Sequence, residues 1–163
     1  MKQFIRRYAS PLLFTLGICM LLPGSVHAEG VRESRPNLVG GEILGRGFAL
    51  TVNYERFLTN HFGLGAGVMA IGSSSGVVGI APMYVSFLPG DTHSLYLAAG
   101  AALVTGSGDL HNYSSAWVLQ GSVGYQFQSS SGFFVRPLFT INGSANGDNG
   151  FVVWPGMTIG GSF

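Results

Sequence analysis

The residues that could perform chemistry are few, and their spacing assembles no catalytic or metal site. His61, His93 and His111 fall in or beside turn-like segments, without the His-x-x-x-His spacing or the carboxylate partner that a metal site needs. His111 and Ser114 are three residues apart, which in a strand would place them on opposite faces. Residues 146–150 offer oxygen ligands for calcium but too few carboxylates for a strong cage. We therefore predict no catalytic residue, no metal and no cofactor.

Residues 1–28 are typical of an export signal. A basic start is followed by an apolar run and by a small-residue cleavage site that ends at Ala28. The only cysteine, Cys19, lies inside this signal, so the mature chain is predicted to have no thiol chemistry and no disulfide. The 135 residues that remain fit a single domain.

The charge and composition of the mature chain exclude a nucleic-acid-binding protein and a membrane protein that spans the bilayer with helices. It has five arginines, no lysine and seven acidic residues, and this net charge near −2 excludes a strongly basic nucleic-acid-binding protein. Charged residues make up 9% of the whole chain and apolar residues 47%, whereas roughly 25% charged is usual in a soluble domain. No mature segment reaches the ~20 apolar residues of a membrane-spanning helix. Because backbone polar groups must be hydrogen-bonded inside lipid, these features predict a closed β-barrel.

Alternation of apolar with polar or small residues recurs along the mature chain and indicates strands. In residues 115–128, Trp117 and Leu119 point one way, while Gln120 and Gln126 point the other. Eight such segments, between residues 37 and 163, are separated by stretches rich in Gly, Ser, Asn and Asp. Residues 29–36 form a polar lead segment, which we predict to be mobile.

The connections between predicted strands alternate in length. Short turns are predicted at residues 58–61, 87–93 and 128–132, and longer loops at residues 106–114 and 143–150. The two kinds of connection would lie at opposite ends of the barrel. Prolines within predicted strands remove a ladder hydrogen bond, so we expect local bulges there or slightly shifted strand ends. These prolines are Pro82, Pro137 and Pro155.

Three segments carry a family resemblance: residues 50–56 (LTVNYER), residues 62–67 (FGLGAG) and residues 151–163, whose alternation runs to Phe163. With these segments the chain, over residues 37–163, resembles small outer-membrane β-barrel proteins of Gram-negative bacteria, typified by the OmpA-like transmembrane domain. The resemblance implies an all-β, eight-stranded antiparallel up-and-down transmembrane barrel in the bacterial cell outer membrane, following a cleaved signal peptide. It implies outer-membrane lipid and lipopolysaccharide as partners, and barrel-assembly machinery that reads the strand ending in Phe163. It implies no enzymatic activity and identifies no loop ligand.

Polar side chains on the predicted inner faces form a candidate lumen network. Glu42, Glu55 and Arg136 are the charged residues on these faces, and we expect them to pair because an isolated buried charge is costly. One interpretation is a gate or a proton site. The other, which we favour, is a polar plug in an interior just wide enough for side chains. The predicted network comprises Glu42, Asn53, Glu55, Gln120, Gln126, Arg136, Thr140 and Thr158, and further lumen candidates are Tyr96, Leu138 and Trp154.

Aromatic side chains on the predicted outer faces have two interpretations. Near strand ends they would form interfacial girdles in a membrane. A carbohydrate-binding platform is the alternative, but these residues are spread over several strands instead of one loop. The predicted set is Tyr54, Trp117, Tyr125, Phe127, Phe139 and Phe163.

The leading functional hypothesis is an integral outer-membrane barrel with a packed, non-conducting lumen and a structural or surface-interaction role. A secreted, lipocalin-like barrel that binds an apolar ligand is the first alternative. A lipid A modifying barrel enzyme is the second, because such enzymes use a lipid-facing His and Ser, and His111 and Ser114 are the nearest equivalent. The facing of Glu55, Gln120 and Arg136 separates the first two hypotheses, since a soluble ligand-binding barrel should be apolar inside and charged outside.

Overall fold

The alternating segments form eight antiparallel strands in chain order. The computed structural model describes residues 30–73, 76–108, 112–145 and 150–163, so the predicted signal at residues 1–28 lies outside the described residues. The strands are β1 (Asn37–Leu44), β2 (Leu50–Phe57), β3 (Phe62–Ser73), β4 (Gly76–Phe87), β5 (His93–Gly108), β6 (Asn112–Gln128), β7 (Phe133–Ser144) and β8 (Phe151–Ser162). Each strand pairs with the next, and β1 pairs with β8 to close the barrel. This topology confirms the predicted all-β, up-and-down barrel.

Alternation in the sequence becomes alternation in burial along each strand. In β2, Thr51, Asn53 and Glu55 are buried. Leu50 and Val52, which lie between them, are exposed on the outer face. Successive side chains of a strand point to opposite faces, so the polar series lines the lumen and the apolar series covers the outside. The barrel therefore reverses the usual arrangement of a soluble domain.

The two ends of the barrel differ. At the turn end, short connections join β2 to β3, β4 to β5 and β6 to β7, and Asn37 exchanges backbone hydrogen bonds of 3.0 and 2.9 Å with Phe163. At the opposite, loop end, strand structure extends further than predicted. β5 and β6 continue into the predicted loop at residues 106–114, and β7 continues to Ser144. The prediction of those loop bounds was wrong because antiparallel pairing persists through glycine and serine, as between Gly106 and Ser114.

Pro82 and Pro137 each interrupt pairing with one neighbouring strand without shifting the register, and the described ladder between β7 and β8 is unbroken at Pro155, so the expected bulges are absent from the described strands. Pairing of β3 with β4 resumes beyond Pro82 in the same register, and pairing of β6 with β7 does so beyond Pro137. Each of these prolines is still aligned with a partner on its other neighbouring strand. Pro155 lies just beyond the last β1–β8 pair, Leu44 with Gly156, so its missing N–H costs no ladder bond on that edge.

The segment before the barrel docks against the turn end. Residues Val31–Ser34 form a short helix, α1, whose Arg32 is buried and lies 5.2 Å from the centroid of the Phe57 ring. The Arg32 guanidinium donates hydrogen bonds to the backbone carbonyls of Asn60 (3.0 Å), Leu88 (3.3 Å), Asp91 (2.8 Å) and Gly90. Burial lowers the pKa of Arg32 to about 10, so the side chain remains cationic at neutral pH.

The sequence predicts a mobile lead at residues 29–36, of which the structure describes residues 30–36, but it does not predict the docking of Arg32. The short turns leave several carbonyl groups pointing at one place, and an arginine can donate to all of them at once. The polar composition of the segment gives no sign of that contact. Within the described ranges, no helix has the length and apolar character needed to cross a membrane.

Candidate functional site

The lumen is the candidate site, because the structure buries there all eight polar residues predicted to line it. These residues are Glu42, Asn53, Glu55, Gln120, Gln126, Arg136, Thr140 and Thr158. They do not form one network. Hydrogen bonds divide most of them between two clusters, one around Glu55 and one around Glu42, while Thr140 contacts Ser122 at 2.9 Å.

The first cluster is built on Arg136, which β7 directs into the lumen. One terminal nitrogen of Arg136 lies 2.7 Å from a carboxylate oxygen of Glu55 on β2. The Nε of Arg136 donates to Gln126 Oε1 at 2.7 Å, and the Ser86 hydroxyl donates to the other oxygen of Glu55. All four side chains are buried. The ion pair is thus surrounded by hydrogen-bond partners, as a buried pair requires.

The second cluster contains an arginine from the connection between β1 and β2, which was not among the predicted lumen residues. Arg46 lies in a 3-10 helix (Gly45–Gly47) between β1 and β2, and this helix folds into the lumen. Its guanidinium is ion-paired with Glu42, its Nε lies 3.1 Å from Glu42 Oε2, and its backbone N–H donates to Glu42 Oε1 at 2.7 Å. Thr158 donates to the same carboxylate at 3.0 Å.

The expected pairing of Glu42, Glu55 and Arg136 with one another is therefore wrong in part, because each acid has its own arginine. A charge count could have revealed this, since two inward acids and one inward arginine leave one acid without a partner. The glycines on both sides of Arg46 were the local signal. Gly45 adopts a positive φ of 67°, which allows the chain to turn inward after β1.

Aromatic rings stack against both guanidinium groups. The Arg46 Cζ atom lies 3.8 Å from the centroid of the Tyr84 ring, and the Arg136 Cζ atom lies 3.9 Å from that of Tyr96. Arg46 also donates to the Tyr96 hydroxyl at 2.9 Å, so Tyr96 links the two clusters. Gly65 makes room for this arrangement, because a Cβ atom there would lie 2.1 Å from Cζ of Tyr84.

Apolar layers lie on both sides of the charged clusters. Towards the turn end, the buried layer is Leu38, Phe57, Leu88, Tyr96, Phe134 and Leu138, with Arg32 beyond it. Towards the loop end, the buried layer is Met69, Ile80 and Ala102, against which Phe48 and Val104 pack. The three further lumen candidates face inward, but Trp154 differs from Tyr96 and Leu138 in being 36% exposed.

The six predicted outer aromatics all lie on the outer face, mostly near strand ends. Tyr54 donates to Asn37 Oδ1 at 2.8 Å near the turn end, where Phe163 also lies. Tyr125 and Phe127 lie there too, and the Phe127 ring centroid is 5.2 Å from that of His93. Trp117 lies in the half of β6 nearer the loop end. Phe139 lies in the middle of β7, away from either end.

The histidines do not converge on a site in the described part of the chain. His61 lies in the connection between β2 and β3 and contacts the Leu88 carbonyl at 3.1 Å, whereas His93 begins β5 and contacts the Tyr125 hydroxyl. His111 lies outside the described residues, as do residues 146–149, and the side chain of Ser114 is not described. Within the described ranges, no group of three His, Cys, Asp or Glu residues could hold a metal ion.

A closed eight-stranded antiparallel barrel with an apolar outer face and a polar interior is the architecture of small outer-membrane β-barrels. Among solved structures, this chain is similar to the N-terminal β-barrel domain of OprF from Pseudomonas aeruginosa, with a TM-score of 0.60 and 15% identity over 79% of this chain and 98% of that one. It also aligns with Ail, the attachment invasion locus protein of Yersinia pestis, with a TM-score of 0.42 and 15% identity over 77% and 92% of the two chains. The likeness to the OprF domain confirms the predicted fold. No protein-family description and no curated protein sequence matches the chain.

Proposed function

We propose that this protein is an integral outer-membrane barrel with a closed, non-conducting lumen and a structural or surface-interaction role, without catalytic activity. The observation that carries the proposal is the reversed facing of the strands. Arg136, Glu42 and Glu55 are buried in the lumen, while exposed Leu50, Val68 and other apolar residues cover the outside. An exterior of this kind is stable in a bilayer and would aggregate in water.

The packed lumen supports the non-conducting part of the proposal. Two ion pairs, their hydrogen-bond partners and two apolar layers block the described interior in succession, below its opening at the loop end. A gate or proton relay would need an acid that exchanges its proton, whereas Glu42 and Glu55 are each held by an arginine. This arrangement favours the interpretation of the lumen as a polar plug.

The same observations weigh against a soluble, lipocalin-like carrier. Such a carrier would hold its ligand in the centre of an apolar interior, but the centre of this lumen holds Arg46 and Arg136. Its outer surface would be charged to remain soluble. Here the outward residues of β2 are Leu50, Val52 and Tyr54, with Arg56 only at the turn end.

Cell fractionation tests the proposed location. The protein should fractionate with outer membranes, resist extraction by high salt or alkali, and migrate differently on cold gels before and after boiling. We also propose lipopolysaccharide and outer-membrane lipid as its surroundings and the barrel-assembly machinery as its insertion partner, through β8. Recovery of folded protein from the periplasm without detergent would refute the membrane location.

A further inference from the structure

The inner face of the barrel changes character towards the loop end. Cross-strand pairs have side chains on the same face, so Val152 and Trp154 point inward with their partners Asn142 and Thr140. Val78 pairs with Ile71, and Val104 pairs with Ile80, which is buried in the lumen. We call this inner surface the apolar cup; its members are Ile71, Val78, Val104, Val118, Val152 and Trp154. None of these six described residues is charged, unlike the clusters below them.

The apolar cup is open although its residues face inward. Ile71 is 50% exposed, Val78 45%, Val152 51% and Trp154 36%. Phe48 forms part of the floor, where its ring meets that of Trp154 edge-on with centroids 5.8 Å apart. Below this floor lie the buried Met69 and Ile80. An open cavity that held only water would leave these apolar side chains unfavourably hydrated.

The wall of the apolar cup is low on one side. Strands β1 and β2 have 8 residues each, whereas β3, β4, β7 and β8 have 12, β5 has 16 and β6 has 17. At ~3.3 Å per residue and a tilt of about 40°, 8 residues rise roughly 20 Å along the barrel axis. This is less than the ~25 Å apolar band of an outer-membrane barrel. The β1–β2 hairpin therefore ends within the hydrocarbon of the bilayer, if the proposed membrane location holds.

The short hairpin leaves the flanking strands with open edges. β8 pairs with β1 only as far as Gly156, so its residues 151–155 extend beyond the last pair. β3 pairs with β2 only as far as Val68 and continues to Ser73. Together these edges bound a lateral notch above the β1–β2 hairpin, which connects the apolar cup with the lipid-facing surface. On that surface, next to the notch, the paired residues Ile43 and Leu50 are 57% and 65% exposed.

We propose that the apolar cup binds an acyl chain of a membrane lipid, which enters sideways through the notch above β1 and β2. This proposal rests on the proposed membrane location. Continuity of the apolar surface from the outer face into the cup favours a molecule already in the bilayer over one arriving from water. The open edges of β3 and β8 offer backbone N–H groups to the ester or amide carbonyls at the head of the chain. No cation lies among the six cup residues, so a lipid phosphate is not what this site recognises.

The two tryptophans of the chain test this proposal, because one faces lipid and the other faces the apolar cup. Trp117→Phe leaves Trp154 as the probe of the cup, and Trp154→Phe leaves Trp117 as the probe of the outer face. Both full-length mature variants are reconstituted in phosphatidylcholine vesicles with and without bromine on the acyl chains, which quenches tryptophan on contact. Acrylamide quenching measures access from water, and the gel shift before boiling shows that each barrel is folded.

We expect brominated lipid to quench most of the emission of both probes, and acrylamide to quench Trp154 weakly. Adding Val78→Asn to the Trp117→Phe variant should reduce lipid quenching of Trp154, whereas Val78→Ala, which removes more volume but adds no polar group, should not. A contrary result is that brominated lipid quenches Trp117 while Trp154 responds only to acrylamide, or to neither quencher. In that case the apolar cup holds water or the protein's own chain, so the lipid proposal fails and the membrane location stands. If brominated lipid leaves Trp117 unquenched, both proposals fail.

Discussion

Replacing Arg136 with methionine should destabilise the barrel strongly. The change removes the 2.7 Å ion pair with Glu55, the 2.7 Å hydrogen bond to Gln126 and the stacking on Tyr96. Glu55 then remains buried with the Ser86 hydroxyl as its one remaining hydrogen-bond partner among the described residues. Removing one member of a buried pair costs ~3–5 kcal/mol, which is roughly two to four orders of magnitude in the folding equilibrium.

The separation of the two charged clusters decides which second substitution rescues this loss. Adding Glu55→Gln removes the uncompensated acid, so the double variant should recover much of the lost stability. Adding Glu42→Gln to Arg136→Met should instead lower stability further, because Glu42 is paired with Arg46 and not with Arg136. Val135→Leu, on the outer face next to Arg136, is the matched control and should cost less than ~1.5 kcal/mol.

Urea unfolding of the reconstituted protein, read by gel shift and tryptophan emission, measures these differences in unfolding free energy. The reasoning would be refuted if Arg136→Met were neutral, or if Glu42→Gln rescued it as well as Glu55→Gln. A severe effect of Val135→Leu beside a neutral Arg136→Met would show that the β7 register is displaced by one residue.

Three further predictions follow from the packing. Gly65→Ala should cost ~1–3 kcal/mol of unfolding free energy, because the new methyl group would overlap the Tyr84 ring. Gly121→Ala, with no atom within 4 Å of the new Cβ, should be close to neutral in the same urea assay. Equal effects of the two substitutions would contradict the packing. Arg32→Met should release the docked lead, seen as faster amide exchange and protease cleavage within residues 30–36 with the barrel intact, and unchanged protection would disprove the docking. Purified monomers in planar bilayers should show no steady conductance, and a large stable current would disprove the packed lumen.

Much of the fold could be predicted because the side-chain period of a strand is two, and the inward and outward series differ sharply in polarity. Gln120 and Gln126 on β6, and Arg136 on β7, are buried inside as the alternation predicted. Register is strongly specified where one face is apolar and the other is polar. The same rule explains why the pairing holds its register across Pro82 and Pro137.

The contacts of Arg46 and Arg32 could not be predicted from strand alternation, because they depend on backbone outside the strands. Arg46 reaches Glu42 only after the chain turns inward at Gly45, and no period in the sequence encodes that turn. Arg32 reaches carbonyl groups of two turns that are distant in sequence. The low wall at β1 and β2 was also missed, since it depends on comparing strand lengths around the closed barrel.

The seam between β1 and β8 has a consequence for the order of folding. Every other strand pair is a hairpin that joins neighbours in the chain. The seam instead joins the first strand with the last, as in the pair of Leu38 with Ser162, and it completes the barrel when the remaining pairs are in place. Pairing β1 with β8 closes the longest loop in the barrel and therefore costs the most conformational entropy. We expect seam formation to be the slow step of folding. Thr158 on β8 donates to Glu42 on β1 across this seam, and that acid is already paired with Arg46 from the adjacent turn. The β1–β2 hairpin can thus arrive at the seam with the charge of Glu42 already paired.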